Sequence, residues 1–375
     1  MAMNLASKFS NKIDEKFTLA SFADSVVGNA YDFDGVKTVN VYSVPSVAMV
    51  DYNRAGASNR YGTPVNLQAS VQKMELSKDR GFSFLIDKGD LIQSMQVMEA
   101  NKALNRQINE QWIPEYDAYV FQTLASKASA LGNLSTTTPS KSNAYNLFMA
   151  GQEFLGNHMA PDTGRVAICS YGFAGLLMQD NAFVRYGDAS QQMIRSGVIG
   201  EIDGVTIKRV PSNRLPNGAA CIITHPYASI APKQLYEYKI HDNPPGYSGY
   251  LVEGRMIYDC FVLDNKVNGI YYIGGSGVMR TLDVSTMPSV TSGKTAVVVN
   301  PMKDSGNKWY YETKANASSL TSVAFGTAIT PSSWTELTSS GLEITPTSSH
   351  TMIQVVEVDG DNKPVGRGVA ALHID

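Results

Sequence analysis

The spacing of apolar positions changes several times along the chain, and each change predicts a different kind of element. From Leu5 to Val27, Phe9, Ile13, Phe17 and Phe22 recur at helical or near-helical steps between charged neighbours, the pattern of an amphipathic arm with no core of its own. VKTVNVYSV, residues 36–44, alternates β-branched and polar positions as a strand does, and Pro45 ends the run. A polar, glycine-bearing tip (MVDYNRAGASNRYGTP) follows, then further strand-like runs in which Phe82, Phe84 and Ile86 share one side. Residues 46–86 together read as one long, thin hairpin. Ordering about 40 residues costs roughly 1 to 2 kcal/mol each in backbone entropy, and an isolated two-stranded ribbon is marginal in water. The hairpin is therefore expected to lean on something else, another subunit being the natural support.

Between Leu91 and Ala130 the period becomes helical: Val97, Leu104, Ile108, Trp112, Tyr116, Tyr119, Leu124 and Ala128 fall mainly three, four or seven residues apart. A helix of about 35 to 40 residues would run roughly 50 to 60 Å, interrupted or kinked where Pro114 removes a backbone donor. A short helix over 143–154 and a series of strands and short helices lead to Ile273, an α+β order without a regular βαβ period. The Ser- and Thr-rich remainder contains the short runs TAVVVN, KWYYETKA, SVAFGTA, LEIT, TMIQVVEVDG and GVAALHI, with turn signals between them. They predict a separate small β-sandwich, immunoglobulin-like in size but lacking the cysteine pair.

Composition narrows the chemistry. The 375 residues suffice for two or three domains, and a 17% charged fraction with net charge −3 marks neither a polybasic nucleic-acid binder nor a charged tail. So few charges suggest extensive protein contacts. Cys169, Cys221 and Cys260 are too scattered for a metal or redox motif, and their odd number argues against a disulfide framework, so they read as small buried apolar residues. Neither a signal peptide nor a membrane span is recognisable, and the chain is expected in a cytoplasm. The five histidines have no metal-ligand spacing, GGSGV fails the nucleophile-elbow pattern at Val278, and no P-loop occurs. No catalytic residue, cofactor or metal is expected.

Three local features need separate readings. Glu115 and Asp117 sit two residues apart on a helix and point to different faces, one expected solvated and the other paired with a base. Arg54, Arg60 and Arg80, in or near the hairpin tip, are either solvated or salt-bridged to a neighbouring chain. In RSGVIGEIDGVTIKRVPSNRLP, Gly197, Gly200 and Gly204 raise the question of a phosphate loop, but such loops lead into a helix N-terminus. Here the chain enters the β-branched run VTIKRV, and Asp203-Gly204 is a favoured hairpin turn.

RGFSFLIDKGD followed by NRQINEQWIPEYDAYVFQTLA, the glycine-punctuated GVIGEIDGVTIKRVPSNRLP, and YLVEGRMIYDCFVLDNKVNGIYYI resemble, in pattern and order, the major capsid proteins of tailed bacteriophages with the Hong Kong 97 fold. The resemblance covers roughly residues 5–280. It implies an N-terminal arm (1–35), an extended loop with flanking strands (36–90), a spine helix and peripheral domain (91–160), and an axial domain with closing strands (161–280). A linker (281–293) and the immunoglobulin-like sandwich (294–375) would be additions. The implied function is self-assembly into pentamers and hexamers of an icosahedral head enclosing double-stranded DNA, without sequence-specific binding or catalysis. A portal protein and decoration proteins are the implied partners, and the virion is the implied location, reached after assembly in the host bacterial cytoplasm.

Under this reading Asp51, Arg54, Arg60, Lys73, Lys78 and Arg80 are the residues expected at inter-subunit contacts. Some members begin with a cleaved scaffolding segment, whereas here the loop begins within fifty residues of the initiator methionine, so a separate scaffolding protein is expected. Lys73 and Lys78 lie where some members cross-link, but no acceptor motif accompanies them and no cross-link is expected. The competing reading is a surface adhesion or carbohydrate-binding protein, with Trp309, Tyr310, Tyr311 and Trp334 either lining a glycan site or packing in the terminal core, core packing being preferred.

Overall fold

The computed structural model describes residues 21–28, 37–44, 46–55, 58–67, 69–89, 100–179, 200–289 and 291–373. Its centre is a six-stranded mixed sheet in the order Leu134–Ser135, Ile270–Gly274, Ala219–Thr224, Val166–Ser170, Val205–Val210, Glu201–Ile202. The inner strands read as continuous apolar runs (IYYIG, CIIT, VAIC) because helices cover both faces. Alternation then sorts the side chains. Ile168, Ile222, Ile270 and Tyr272 face the long helix and meet Tyr116, Val120, Phe121 and Leu124. Ala167, Cys169, Cys221, Ile223 and Ile273 face the opposite way, onto Phe148 and Leu155 of Ala144–Asn157 and Phe173 and Leu177 of Tyr171–Gln179.

The long helix is continuous over the described residues 100–130, about 46 Å at 1.5 Å per residue. Its expected beginning, from Leu91 to Glu99, lies outside the described residues. Pro114 does not end it. A single π turn, Ile108–Trp112, precedes the proline, which then falls in the first turn of the segment Ile113–Ala130, where its missing N–H is not needed. The arm positions Phe9, Ile13 and Phe17 also lie outside the described residues; what is described of that segment is a single 3₁₀ turn, Ala23–Ser25.

The hairpin differs from expectation. Thr38–Ser43 pairs antiparallel with Ser70–Glu75, from Thr38 opposite Glu75 to Ser43 opposite Ser70. The described residues between these two strands contain no strand. The run with Phe82, Phe84 and Ile86 is a strand, Lys78–Asp87, but it leaves the hairpin and pairs with Gly249–Tyr258, which pairs in turn with Lys233–Asp242. At Gly249 the chain passes so close that a Cβ would lie 2.1 Å from the Ile86 carbonyl oxygen, a position only glycine can fill. Residues 46–86 are thus not one ribbon: alternation marks a strand but does not name its partner.

Beyond residue 279 lie a five-stranded sheet (Arg280–Thr281, Pro364–Ala371, Met352–Val358, Lys308–Lys314, Thr335–Leu337) and a three-stranded one (Asp283–Pro288, Thr295–Asn300, Leu342–Ile344). Leu282, Val297, Val299, Trp309, Leu337, Ile344, Ile353 and Val355, drawn from both sheets and the turn between them, form one apolar cluster. Two expectations change here. Residues 281–293, read as a linker, contain the strand Asp283–Pro288, and SVAFGTA contains no strand, its Val323 packing instead against Tyr310, Val356 and Val358.

Candidate assembly interface

The base of the hairpin is held by its own chain. Met74 and Leu76 are buried with Ile230 and Leu263, flanked by Val39, Val41, Ile257 and Phe261. Gln72 uses both ends of its amide: Nε2 donates to the Val262 carbonyl at 2.8 Å, and Oε1 accepts from the Asp264 N–H at 3.1 Å. Ser43 accepts a hydrogen bond from the Asn265 side chain. The tip has no such cover. Val44, Val47, Met49, Val50, Tyr52, Tyr61, Val65 and Leu67 are all exposed, as are Tyr42 and Val71, which pair with each other near the tip end of the base strands. Within the tip, Tyr52 and Tyr61 meet edge to face at 4.9 Å and the Asn53 N–H donates to the Arg60 carbonyl at 3.0 Å, so it is locally shaped without being buried. Exposed apolar surface this extensive and contiguous along the chain marks an interaction surface.

Two buried carboxylates fix the frame from which the hairpin projects. Asp117, fully buried on the long helix, accepts from Ser21 Oγ (2.7 Å), from the N–H groups of Phe22 and Ala23 (3.1 Å each), and from Arg214 Nη1 (2.7 Å). It thereby ties residues 21–23 and the turn after Val205–Val210 to the helix. Asp259 accepts from the Ser77 N–H and hydroxyl (2.8 Å each), from the Tyr119 hydroxyl (2.6 Å) and from the Cys260 N–H (2.7 Å). It joins the exit of the hairpin to the long helix. Burial beside Asp259 holds the Tyr119 hydroxyl well above its ordinary pKa, so it remains a donor.

A third carboxylate, Glu357, secures the C-terminal sheets: fully buried, it accepts from Arg280 Nε (2.7 Å), the Asp304 N–H (3.0 Å) and Asn307 Nδ2 (2.7 Å). Asp304 reaches the long helix through Lys127 at 2.6 Å. Burial works against the charge on Asp304, but Lys127 and Arg280 beside it hold its carboxyl below the usual range.

Of the residues expected at subunit contacts, Asp51 and Arg54 are exposed in the tip, and Arg60 lies at its far side. Lys73, Lys78 and Arg80 each form an ion pair within the chain. Lys73 contacts Glu75 at 2.8 Å, and together with Lys37 it holds the Glu75 carboxyl below its ordinary pKa. Lys78 pairs with Asp283 of the three-stranded sheet, and Arg80 Nε with Glu115 at 2.7 Å. Glu115 and Asp117 do point apart, but both are paired with a base, Glu115 half-exposed and Asp117 fully buried.

Gly197 lies outside the described residues. Gly200 accepts from the Ile207 N–H at 3.0 Å, and Asp203 and Gly204, at φ +52° and +73°, make the two-residue turn between Glu201–Ile202 and Val205–Val210. Trp309 and Tyr310 are buried, and Tyr311 and Trp334, partly buried, pack against the two C-terminal clusters. Sequence reasoning missed Arg214, Asp259 and Glu357. Their partners lie between 50 and 182 residues away, apart from neighbours such as Cys260, so no local spacing announces them.

Among the described residues no group of three or more His, Cys, Asp or Glu side chains is placed to hold a metal ion, and no helix is long and apolar enough to cross a membrane. No family model matches the chain, and no curated protein matches it. Solved structures do. A structure from Mycobacterium phage Che8 superposes with a TM-score of 0.62 at 17% identity, covering 74% of this chain and 100% of that one. The mature capsid of bacteriophage PhiM1 gives 0.56 at 11% identity over 72% of this chain and 91% of its own, and the capsid of cyanophage P-SCSP1u 0.55 at 12% over 72% and 93%. With a mixed central sheet, one long helix and a projecting hairpin, the chain has the α+β fold of bacteriophage capsid structures.

Proposed function

We propose that this chain is the major capsid protein of a tailed bacteriophage, assembling as pentamers and hexamers into an icosahedral head around double-stranded DNA. The observation that carries the reading is the contrast within the hairpin: a base bonded to its own subunit, and a tip exposing eight large apolar side chains. A neighbouring copy is the partner such a surface fits, since fully burying each side chain stabilises by about 1.5 to 3 kcal/mol. Asp51, Arg54 and Arg60 then lie at the inter-subunit contact, with Lys73, Lys78 and Arg80 holding the approach to it.

A net charge of −3 suits a shell that encloses DNA without reading its sequence. The C-terminal sheets, an immunoglobulin-like domain in this reading, face outward, where decoration proteins bind. A separate scaffolding protein and a portal complete the head, which is built in the host cytoplasm and becomes part of the virion.

The test is expression of the chain with its scaffolding protein, followed by sedimentation and electron microscopy. Shells or capsomers are expected. Sedimentation as monomer alone under all conditions tried would overturn the reading. Deleting Asp51–Gly62 should leave a folded subunit that assembles poorly, and normal shells from that variant would remove the tip from the interface.

A further inference from the structure

Two of the three cysteines face each other. Cys169 and Cys221 are register partners on the antiparallel middle strands Val166–Ser170 and Ala219–Thr224, and their sulfurs lie 2.8 Å apart. Non-bonded heavy atoms ordinarily rest about 3.5 to 4.0 Å apart, so nothing stands between these two. Opposed residues of an antiparallel ladder have Cα atoms about 4.5 or 5.5 Å apart, and both values fall inside the range of about 4.4 to 6.8 Å that a disulfide spans. The backbone is therefore already placed for the bond. Both side chains are fully buried on the sheet face that meets Phe173 and Leu177, while Cys260 belongs to the other core.

We propose that Cys169 and Cys221 are an oxidation site, forming a cross-strand disulfide inside one subunit once the protein leaves a reducing compartment and meets a small oxidant such as hydrogen peroxide. One thiol loses its proton, and its sulfur attacks a peroxide oxygen; the O–O bond breaks, giving a sulfenic acid and hydroxide, which takes up that proton as water. The second sulfur then displaces the sulfenic hydroxyl, which leaves as water with the second thiol's proton. Two thiols and one peroxide give one disulfide and two waters; each sulfur loses one electron and the peroxide gains two. A small uncharged oxidant matters because the site is closed to larger disulfides. Burial also pushes the Cys221 thiol well above its ordinary pKa, so thiolate is scarce and the native protein reacts slowly, faster as pH rises. In a reducing cytoplasm the pair stays as thiols. The bond would link the middle of the central sheet across 52 residues of chain without moving the strands.

The test uses the full chain, purified with reductant, freed of it and treated with hydrogen peroxide while folded. It is then unfolded and alkylated without reduction, and its cysteine peptides are mapped. Cys260 alone should be alkylated, a linked peptide pair should carry Cys169 and Cys221, and a dithiol reductant should restore three alkylated sites. Cys260→Ser should leave the link intact and Cys221→Ser should abolish it. Three alkylated cysteines after oxidation, a link through Cys260, or sulfinic acid at either cysteine without a link would each overturn the proposal. The readout is independent of shell formation, so failure here and failure to assemble are separate results.

Discussion

Met74, on the returning strand of the hairpin, is fully buried among Ile230, Leu263 and their neighbours, while Met49, in the tip, is 99% exposed. The same side chain on the same hairpin thus serves two purposes. Around Met74 the chain supplies its own cover and its own hydrogen bonds, so folding alone fixes the geometry. Around Met49 the described tip is shaped by bonds within itself, such as Asn53 to Arg60, but its apolar side chains stay uncovered. The comparison separates what stabilises the subunit from what it leaves exposed, and under the proposed assembly substitutions on the two sides should have opposite signatures.

The largest effect is expected in the frame that supports the hairpin. Asp117→Ala removes the acceptor for three backbone or hydroxyl donors and leaves Arg214 charged and buried. Breaking one side of a buried pair costs about 3 to 5 kcal/mol, which urea denaturation of the isolated chain would read as a large fall in midpoint. A change near zero would show that the 21–23 segment does not depend on this carboxylate. Next comes the methionine pair itself. Met74→Ala should cost about 2 to 5 kcal/mol through the cavity it leaves, whereas Met49→Ala should stay within about 0.5 kcal/mol in the isolated chain and act on assembly alone. Peroxide gives a second reading: unassembled protein should form sulfoxide at Met49 and not at Met74, and shells should protect both. Equal oxidation of Met49 in both states would separate the tip from the interface.

How much of this was legible in the sequence depended on distance along the chain. The Asp203-Gly204 turn, the strand 38–43 and the helix around Tyr116 and Leu124 follow from neighbours within a few residues, and local chemistry decides them. Phe82, Phe84 and Ile86 announced a strand equally well, but its partner, Gly249–Tyr258, is more than 160 residues on, and period-2 alternation carries no address. The same holds for Asp117 with Arg214 and for Glu357 with Arg280, whose pairing only the folded chain creates. Pro114 suggested an interruption or kink, but the helix runs on through a π turn just before it, which the spacing of apolar residues does not reveal. The tip was legible as unsupported, since nothing local could bury it. That the base below it is well supported was not, because Gln72 and Met74 find their partners near residues 230 and 263.

Gln72 marks the border between the two regimes. Gln72→Ala removes the bonds to Val262 and Asp264, in a half-buried place where water replaces part of what is lost, so about 1 kcal/mol is the expected cost. Hydrogen exchange should locate the effect: amides of Thr38–Ser43 and Ser70–Glu75 should lose protection while the six-stranded sheet keeps its own. Equal loss in both would mean that the hairpin base and the body open as one unit.

The smallest effect separates the two regions by pH. His225 is buried at the start of the turn Pro226–Ala228 in the body of the subunit; its Nδ1 accepts from the Tyr227 N–H at 3.1 Å and its Nε2 lies 3.1 Å from the Thr163 carbonyl, an arrangement that needs the neutral ring protonated at Nε2. Burial lowers its pKa below the ordinary 6.5, with Arg165 and Lys266 acting in the same direction. The unfolded chain therefore takes up a proton before the folded one does as pH falls. The contribution of His225 is fully present above pH 6.5, is lost progressively below it, and levels off once pH drops beneath the folded value. Urea midpoints of the isolated chain should decline between pH 7.5 and 5.5 by more than carboxylate titration gives, about that range being where histidine titrates, and His225→Gln should flatten the excess. The tip contains no histidine. A decline of the same size in the His225→Gln variant would assign the acid sensitivity to another group.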